Sequence, residues 1–202
     1  MSTLKVDTIL KRTGTGTITL GQSGDTIAMP SVTLTTALPV AQGGTGGTSF
    51  SAAGLANTPA CLVTVASTTV FSNDTLTKLA FDTEVYDTAS AFASNKFTVP
   101  SGQAGKYYIN IQADIDSQAD TNLDYCLIYI YKNGSDIRRH NYDFRGNFIR
   151  RFNTSITSVL DLEVSDYIEG YVYAFDNSGT PQYVAGNSNK NGTQFMMFKL
   201  IE

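Results

Sequence analysis

The chain has 202 residues, of which 42% are hydrophobic and 16% are charged, and its formal net charge is −4. The hydrophobic share suffices for a packed core, which excludes a disordered chain. The low charged share disfavours a lone helix or coiled coil, and the negative charge disfavours a nucleic-acid partner. No apolar run reaches the ~18 residues of a membrane span, and no signal-peptide pattern is visible, so we expect no membrane insertion.

Aromatic residues divide the chain into two parts. Only one of the 22 aromatic residues, Phe50, lies in residues 1–60, whereas nine of the 17 glycines lie there. A segment with so few aromatic side chains buries little area by itself. We therefore predict an extended segment over residues 1–59 and a compact domain over residues 60–202.

The N-terminal segment has a weak pattern of its own. Threonine alternates with glycine, isoleucine and leucine over residues 14–21, and residues 32–35 repeat the alternation, which predicts short strands. Such strands are unstable alone. Either identical copies pack around an axis, or the segment is a flexible arm. The glycine-rich residues 39–48 predict a hinge, and residues 49–57 predict one short helix.

Period-two alternation predicts an all-β fold for the rest of the chain. Residues 107–116 and 156–164 alternate apolar and polar side chains, and Ile156, Leu160, Leu162 and Val164 are expected to point inward. Asn133-Gly134 predicts a two-residue hairpin after the strand that ends at residue 132. No segment predicts an amphipathic helix in this part. Short strands at this spacing predict a sandwich or jelly roll.

Three of these strands, residues 125–132, 167–175 and 194–202, are apolar on both faces. A two-layer sandwich buries only one face of each sheet, so the second face must meet something else. The aliphatic faces fit the core, and the aromatic faces predict a subunit interface, where tyrosine is enriched. Loops or short helices covering this face, or a carbohydrate-stacking platform, are the alternatives. The predicted interface residues are Tyr125, Tyr129, Tyr131, Tyr171, Tyr173 and Phe175.

Residues 137–152 form a basic, aromatic segment in an acidic protein. Guanidinium forks and aromatic rings suit glycans that carry phosphate or carboxylate groups, which predicts a receptor-binding patch. The alternative is that these arginines pair with acidic residues across a strand pair or a subunit interface. The candidate receptor-binding residues are Arg138, Arg139, Tyr142, Arg145, Arg150 and Arg151.

Acidic residues and cysteines offer few further sites. An acidic run follows the strand at 107–116 and could hold calcium through its oxygens, although solvated loop acids are the alternative and we expect no other cofactor. Two cysteines, Cys61 and Cys126, are expected to be reduced and buried. His140 beside Asp143 predicts no catalytic triad, so no catalytic residues are expected. The candidate metal ligands are Asp114, Asp116, Asp120 and Asp124.

Residues 60–202 resemble the C1q/TNF-like jelly roll in its bacterial and viral form. The resemblance rests on residues 79–88, 97–100 and 105–108, on the Lys132-Asn133-Gly134 turn, on LEVSDYI at 162–168, and on the closing strand 195–201. The family's L-x-x-G-D-x-I has glycine where this chain has Ser165. The resemblance implies a jelly-roll sandwich that forms compact homotrimers, in agreement with the aromatic faces.

The N-terminal 57 residues resemble phage fibre and virion-appendage proteins at residues 4–9, 14–20, 42–46 and 52–57. This resemblance implies that residues 1–30 attach to other virion proteins, residues 31–59 link, and residues 60–202 form a C1q-like head. We therefore expect a non-enzymatic, homotrimeric fibre or fibre tip of the virion that binds the host cell surface, with a surface glycan as its partner. The alternative is a capsid or tail decoration or connector protein with a purely structural role.

Overall fold

The computed structural model describes residues 56–117, 123–147, 149–186 and 192–200. Predictions for residues 1–55, including the attachment segment and most of the linker and short helix, lie outside these ranges. The described residues form strands and loops without a helix, and so contain no helix that could cross a membrane. The strands are β1 Ala60–Thr64, β2 Thr69–Phe71, β3 Thr77–Lys78, β4 Thr83–Asp87, β5 Phe92–Ala93, β6 Lys96–Thr98, β7 Gly105–Asp116, β8 Leu123–Lys132, β9 Ser135–Asp143, β10 Arg151–Leu162, β11 Tyr167–Asp176, β12 Gln182–Val184 and β13 Gln194–Lys199.

Two antiparallel sheets make up the fold. The seven-stranded sheet has the order β2-β12-β7-β13-β1-β4, and β10 pairs with β7. The six-stranded sheet has the order β5-β6-β11-β8-β9, and β3 pairs with β11. Strands that neighbour in space are mostly distant in sequence, which is the arrangement of a β-sandwich rather than of a meander. The all-β prediction is confirmed for the described residues.

The core lies between the two sheets and follows the alternation of their long central strands. In β7, Tyr107, Ile109 and Ile111 are fully buried, and in β8 and β11 the aliphatic faces around Ile128 and Val172 meet them from the opposite sheet. Alternate side chains of a strand point to opposite faces, so one buried face per strand supplies this core. The aliphatic faces therefore occupy the place predicted for them.

One glycine of the core marks a close approach of the two sheets. Gly170 lies on the inward face of β11, where a Cβ atom would stand 3.0 Å from Cγ2 of Ile111 and 3.2 Å from Cδ1 of Leu79. Contacts this short force the neighbours to move. The missing side chain thus lets β11 pack directly against the centre of β7.

The predicted hairpin is confirmed. β8 ends at Lys132 and β9 begins at Ser135, and both turn residues are left-handed, with φ of 53° at Asn133 and 76° at Gly134. A two-residue turn with positive φ at both positions matches the twist of the strands that it joins, and Asn-Gly adopts it at little cost.

The prediction for Val164 is wrong. β10 ends at Leu162, and Val164 lies in the following turn with 43% of its surface exposed. A carboxylate oxygen of Asp166 accepts a hydrogen bond of 2.8 Å from the backbone N–H of Glu163, and Ser165 has φ of 72°. This capped turn ends the alternation one step earlier than the apolar pattern suggests.

Both cysteines are buried and unpaired, as predicted. Cys61 lies in β1 of the seven-stranded sheet and Cys126 in β8 of the other sheet. Burial raises the pKa of Cys126 to about 12, so its thiol stays protonated at neutral pH. The two thiols behave as small apolar side chains of the core.

Candidate binding surfaces

The aromatic side chains of β8 and β11 share the outward face of the six-stranded sheet. The register opposes Tyr129 to Tyr171 and Tyr125 to Phe175, and the intervening residues point into the core. Side chains that oppose each other across a strand pair lie on the same face. The structure therefore brings all six predicted interface residues onto one surface, which we call the aromatic face: Tyr125, Tyr129, Tyr131, Tyr171, Tyr173 and Phe175.

Rings of the aromatic face pack against each other. The ring centroids of Tyr131 and Tyr171 are 4.3 Å apart, and Tyr125 stacks on Phe175 at 5.3 Å and on Tyr173 at 5.7 Å. Offset and tilted pairs at these distances are favourable beyond the area that they bury. The rings cover part of one another, and Tyr129 keeps only 9% of its surface exposed.

Hydroxyl groups of the aromatic face join in hydrogen bonds. The oxygens of Tyr125 and Tyr173 are 3.2 Å apart, and the Tyr173 hydroxyl donates to the carboxylate of Asp74. Burial, together with these two bonds, raises the pKa of Tyr173 above its usual value, because each favours the neutral phenol. The face is thus apolar in its rings and polar at its tips, a combination that suits a protein interface or a sugar.

Charged residues border the aromatic face on both sides. On one side, Lys78 pairs with Glu169 at 2.7 Å and the Lys96 ammonium lies 4.3 Å from the ring centroid of Tyr167. On the other side, Arg139 opposes Tyr129 across the β8–β9 pair. A subunit interface typically has such a polar rim around an apolar centre. The interface role itself stays a prediction.

Strand β9 separates two of the predicted receptor-binding arginines. Arg139 opposes the outward Tyr129, whereas Arg138 opposes the inward Ile130 and so projects at the open edge of the sandwich. Both are exposed, and Arg138 makes its hydrogen bond only to the neighbouring carbonyl of Ile137. Consecutive residues of a strand point to opposite faces, so these two arginines do not share a surface.

The remaining receptor-binding candidates have partners within the chain. Arg145 pairs with Asp143 on the surface, with its Nε 2.9 Å from Oδ1. Tyr142 is half-buried, and its ring lies 4.6 Å from that of Phe152 at the edge of the core. Tyr142 therefore contributes to packing, and the Arg145 charge is locally balanced.

Arg150 and Arg151 pair with the acidic residues at the end of β7. The Nε of Arg150 is 3.2 Å from Oδ1 of Asp116, and Arg151 forms a two-bond contact with Asp114, through Nε at 2.7 Å and through its terminal nitrogen. Both carboxylates are buried, and β10 pairs with β7 in antiparallel register here. These pairs match the strand-pairing alternative rather than a single five-arginine patch.

Two of the predicted metal ligands, Asp114 and Asp116, are the acidic partners in these salt bridges. Asp114 and Asp116 face arginines, Asp124 is the second residue of β8 in the other sheet, and Asp120 lies outside the described residues. Among the residues that the structure describes, no three acidic, histidine or cysteine side chains are grouped to hold a metal ion. The described part of the four-residue calcium set therefore does not come together.

Asp124 is unusual in its burial. It is 6% exposed, and its Oδ1 has no hydrogen-bond partner among the described residues. Burial raises its pKa, and the nearby Asp176 adds to the rise, while Arg145 and the backbone N–H of Asn177 oppose it. The carboxylate oxygens of Asp176 already accept hydrogen bonds from Ser178, Thr180 and Gln182. A cation shared between Asp124 and Asp176 would have to displace some of these bonds.

A second apolar surface lies on the outward face of the seven-stranded sheet. Tyr108 stacks on Phe198 at 5.0 Å, and the register continues this row to Val159, which is 51% exposed. Leu62 and Tyr86 oppose each other in the next row. The sequence signal for this surface was the closing strand, which is apolar on both faces. We call this surface the second apolar face.

Comparisons with known proteins give structural likeness without sequence likeness. No protein-family model matches the chain, and no curated protein matches it. Among solved structures, the globular domain of zebrafish complement 1qA is similar with a TM-score of 0.49 and 16% identity, over 70% of this chain and 97% of that one. Murine APRIL, a TNF-family protein, is similar with a TM-score of 0.48 and 13% identity, over 70% of this chain and 99% of that one.

Proposed function

We propose that this protein is a homotrimeric structural appendage of a virus particle, attached through residues 1–30, whose head over residues 60–202 binds the host cell surface. The observation that carries the proposal is the aromatic face, which places six rings outside a sandwich that already has a complete core. The N-terminal resemblance to phage fibre proteins supplies the viral setting. The C1q/TNF-like jelly-roll assignment is part of the same proposal.

Self-association is the first element of the proposal. A sheet face that is exposed to water normally carries polar side chains, whereas this one carries tyrosine and phenylalanine with a charged rim. Covering the rings in an interface removes apolar area from water, at about 25 cal/mol per Å². Three copies related by a closed symmetry would bury the same surface on each chain.

Host binding is the second element. Arg138 and Arg139 are exposed on an edge strand, and Arg138 has no acidic partner among the described residues. Arg139 lies 3.9 Å from Asp136, a loose pair with 64% of the arginine side chain exposed. An exposed guanidinium group can contact anionic groups of a surface glycan. Such a contact breaks no salt bridge of Arg138 among the described residues, and at Arg139 it breaks only the loose pair with Asp136.

Two double variants test the host-binding element with a matched pair of charge changes. Arg138→Gln with Arg139→Gln should weaken binding of the full chain to heparin, used as an anionic polysaccharide, by roughly tenfold, and added salt should weaken the wild type similarly. Arg150→Gln with Arg151→Gln removes the same charge from internally paired sites and should change binding less.

Equal loss in both double variants would mean that net charge alone governs binding, and it would contradict the assignment of binding to Arg138 and Arg139, which lie on opposite faces of β9. Wild-type protein that binds neither heparin nor host cells would reject the receptor function. It would favour the alternative, a capsid or tail decoration or connector with a structural role, which microscopy of intact particles would then locate. That alternative is favoured by the internal pairing of Arg145, Arg150 and Arg151.

A further inference from the structure

A pocket of about 260 Å³ opens where the edge strands of the two sheets meet. One wall comes from β4, the last strand in the order of the seven-stranded sheet, and the other from β5, the last in the order of the six-stranded sheet. The residues that line it include Phe81, Asp82, Glu84, Phe92 and Asn95. None of them belongs to the surfaces predicted from the sequence.

Aromatic rings form the apolar wall of the pocket. The centroids of Phe81 and Phe92 are 5.9 Å apart, and both rings contact Phe195, at 5.9 Å and 5.3 Å. Phe195 is fully buried, while Phe81 and Phe92 are half-buried. The core therefore fixes two rings whose remaining surfaces line a cavity.

A constrained turn forms the opposite rim. Ser94 and Asn95 connect β5 to β6 with φ of 52° and 57°, a conformation that non-glycine residues rarely adopt. The Lys78 ammonium donates to the carbonyl of Ser94 at 2.8 Å, and Oδ1 of Asn95 accepts the N–H of Phe81 at 2.9 Å. These bonds hold Asn95 in place, and its Nδ2 has no acceptor among the described residues.

The pocket carries negative charge without a basic side chain in its lining. Asp82 accepts hydrogen bonds from the N–H groups of Ala66 and Ser67 and from the hydroxyl of Thr83. Glu84 makes no hydrogen bond or salt bridge within the described residues. One carboxylate is therefore held in position, and the other is free to pair with a ligand beside two aromatic rings.

We propose that this pocket binds a small organic cation, an ammonium group carried on a body of about the size of one sugar ring. The Glu84 carboxylate neutralises the ammonium, the faces of Phe81 and Phe92 contact the carbon skeleton and attract the cation, and Nδ2 of Asn95 donates to a hydroxyl oxygen. A neutral ring of the same shape supplies no positive charge to pair with the Glu84 carboxylate, so the pocket prefers the cationic ligand over the neutral one. The volume restricts the ligand to a single ring.

Glucosamine and glucose test the proposal, because they differ at C2 by an ammonium group in place of a hydroxyl group. At about pH 6 the amine of glucosamine is protonated, and the full chain should bind it with a dissociation constant in the millimolar range, as expected for one small ring. Saturation-transfer NMR should show contacts to ring protons. Glucose should bind at least fivefold more weakly.

Glu84→Gln removes the charge and keeps the size, and it should weaken glucosamine binding roughly fivefold while leaving glucose binding unchanged. Glu163→Gln, at an exposed carboxylate outside the pocket, is the matched control and should change the binding of neither sugar.

Phe92→Leu should weaken the binding of both sugars, and its melting temperature must be measured because Phe92 also packs on Phe195. Equal binding of the two sugars, no binding of glucosamine, or unchanged binding by Glu84→Gln would overturn the proposal, and none of these results depends on the trimer or on heparin.

Discussion

Ser165 occupies a backbone conformation that suits glycine better than serine. Its φ of 72° lies in the left-handed region, in the turn that connects β10 to β11. The C1q/TNF-like sequence pattern has glycine at this position. The turn keeps the geometry that glycine would favour. The Asp166 carboxylate accepts the N–H of Glu163 within this turn and the side-chain amide of Asn133 from the β8–β9 turn, and these bonds hold serine in place.

Ser165→Gly should stabilise the protein. A non-glycine residue in the left-handed region costs about 1–2 kcal/mol, and glycine loses about 0.5–1 kcal/mol more in conformational entropy on folding, so we expect a net gain of about 0.5–1 kcal/mol. Thermal unfolding at fixed protein concentration measures it. Ser155→Gly, at an exposed position inside β10, is the control and should lower stability. A lower melting temperature for Ser165→Gly would show that the turn is not strained.

At the scale of strands, the long pairing of β7 with β10 carries two arginine–aspartate pairs. Asp114 is 7% exposed and Asp116 is 6% exposed, so each buried carboxylate needs compensating contacts, to which Arg151 and Arg150 contribute. The side chain of Arg151 is 52% exposed, which lets water screen the pair in part. Each pair thus joins a buried carboxylate to a guanidinium group that is partly exposed to solvent, and neither pair lies within the core.

Arg151→Gln should destabilise the protein by about 1–2 kcal/mol, because it leaves the buried Asp114 carboxylate without its charged partner, and partial exposure reduces the loss from that of a fully buried pair. Chemical denaturation measures it. Arg145→Gln is the control, since its pair with Asp143 lies on the surface, and it should change stability little. Equal effects of the two substitutions would contradict the structural role of the Arg151 pair.

The alternation of the strands was readable from the sequence, but their partners were not. Period two places Tyr129 outward and Ile128 inward whatever strand lies beside them, so the aromatic face could be predicted residue by residue. Arg151 and Asp114, by contrast, are 37 residues apart, and only the pairing of β7 with β10 brings them together. In the sequence, the arginines of residues 137–152 therefore appear to form one patch, whereas the structure places them on different faces.

The pocket was unpredictable for the same reason. Its lining combines the ends of two different sheets, and nothing local in residues 81–95 indicates that β4 and β5 lie at adjacent edges. Asn95 is a residue type that tolerates positive φ, but Ser94 is not, so the Ser94-Asn95 pair lacks the signal that Asn133-Gly134 carries. Features that depend on how sheets stack require the tertiary structure.

At the scale of the whole molecule, two apolar surfaces compete as the site of self-association. The aromatic face has rings that already cover one another, with Tyr129 at 9% exposure. The second apolar face leaves Val159 at 51% and Tyr86 at 40% exposed. Each of the two faces carries more large apolar side chains than a sandwich that functions as a monomer requires on its outer surface. A homotrimer can bury one face and leave the other exposed.

A pair of single substitutions separates the two surfaces. Light scattering of the full chain at micromolar concentration should give the mass of a trimer. Tyr171→Asp places a charge among the half-buried rings of the aromatic face, where an unpaired carboxylate in an interface costs several kcal/mol, so it should lower the mass to that of a monomer. Val159→Asp places the same charge on the second apolar face and should leave the trimer intact. Circular dichroism must show that both variants stay folded.

A monomeric Val159→Asp variant beside a trimeric Tyr171→Asp variant would move the interface to the seven-stranded sheet and leave the aromatic face free for a ligand. A monomeric wild type would reject the homotrimer altogether.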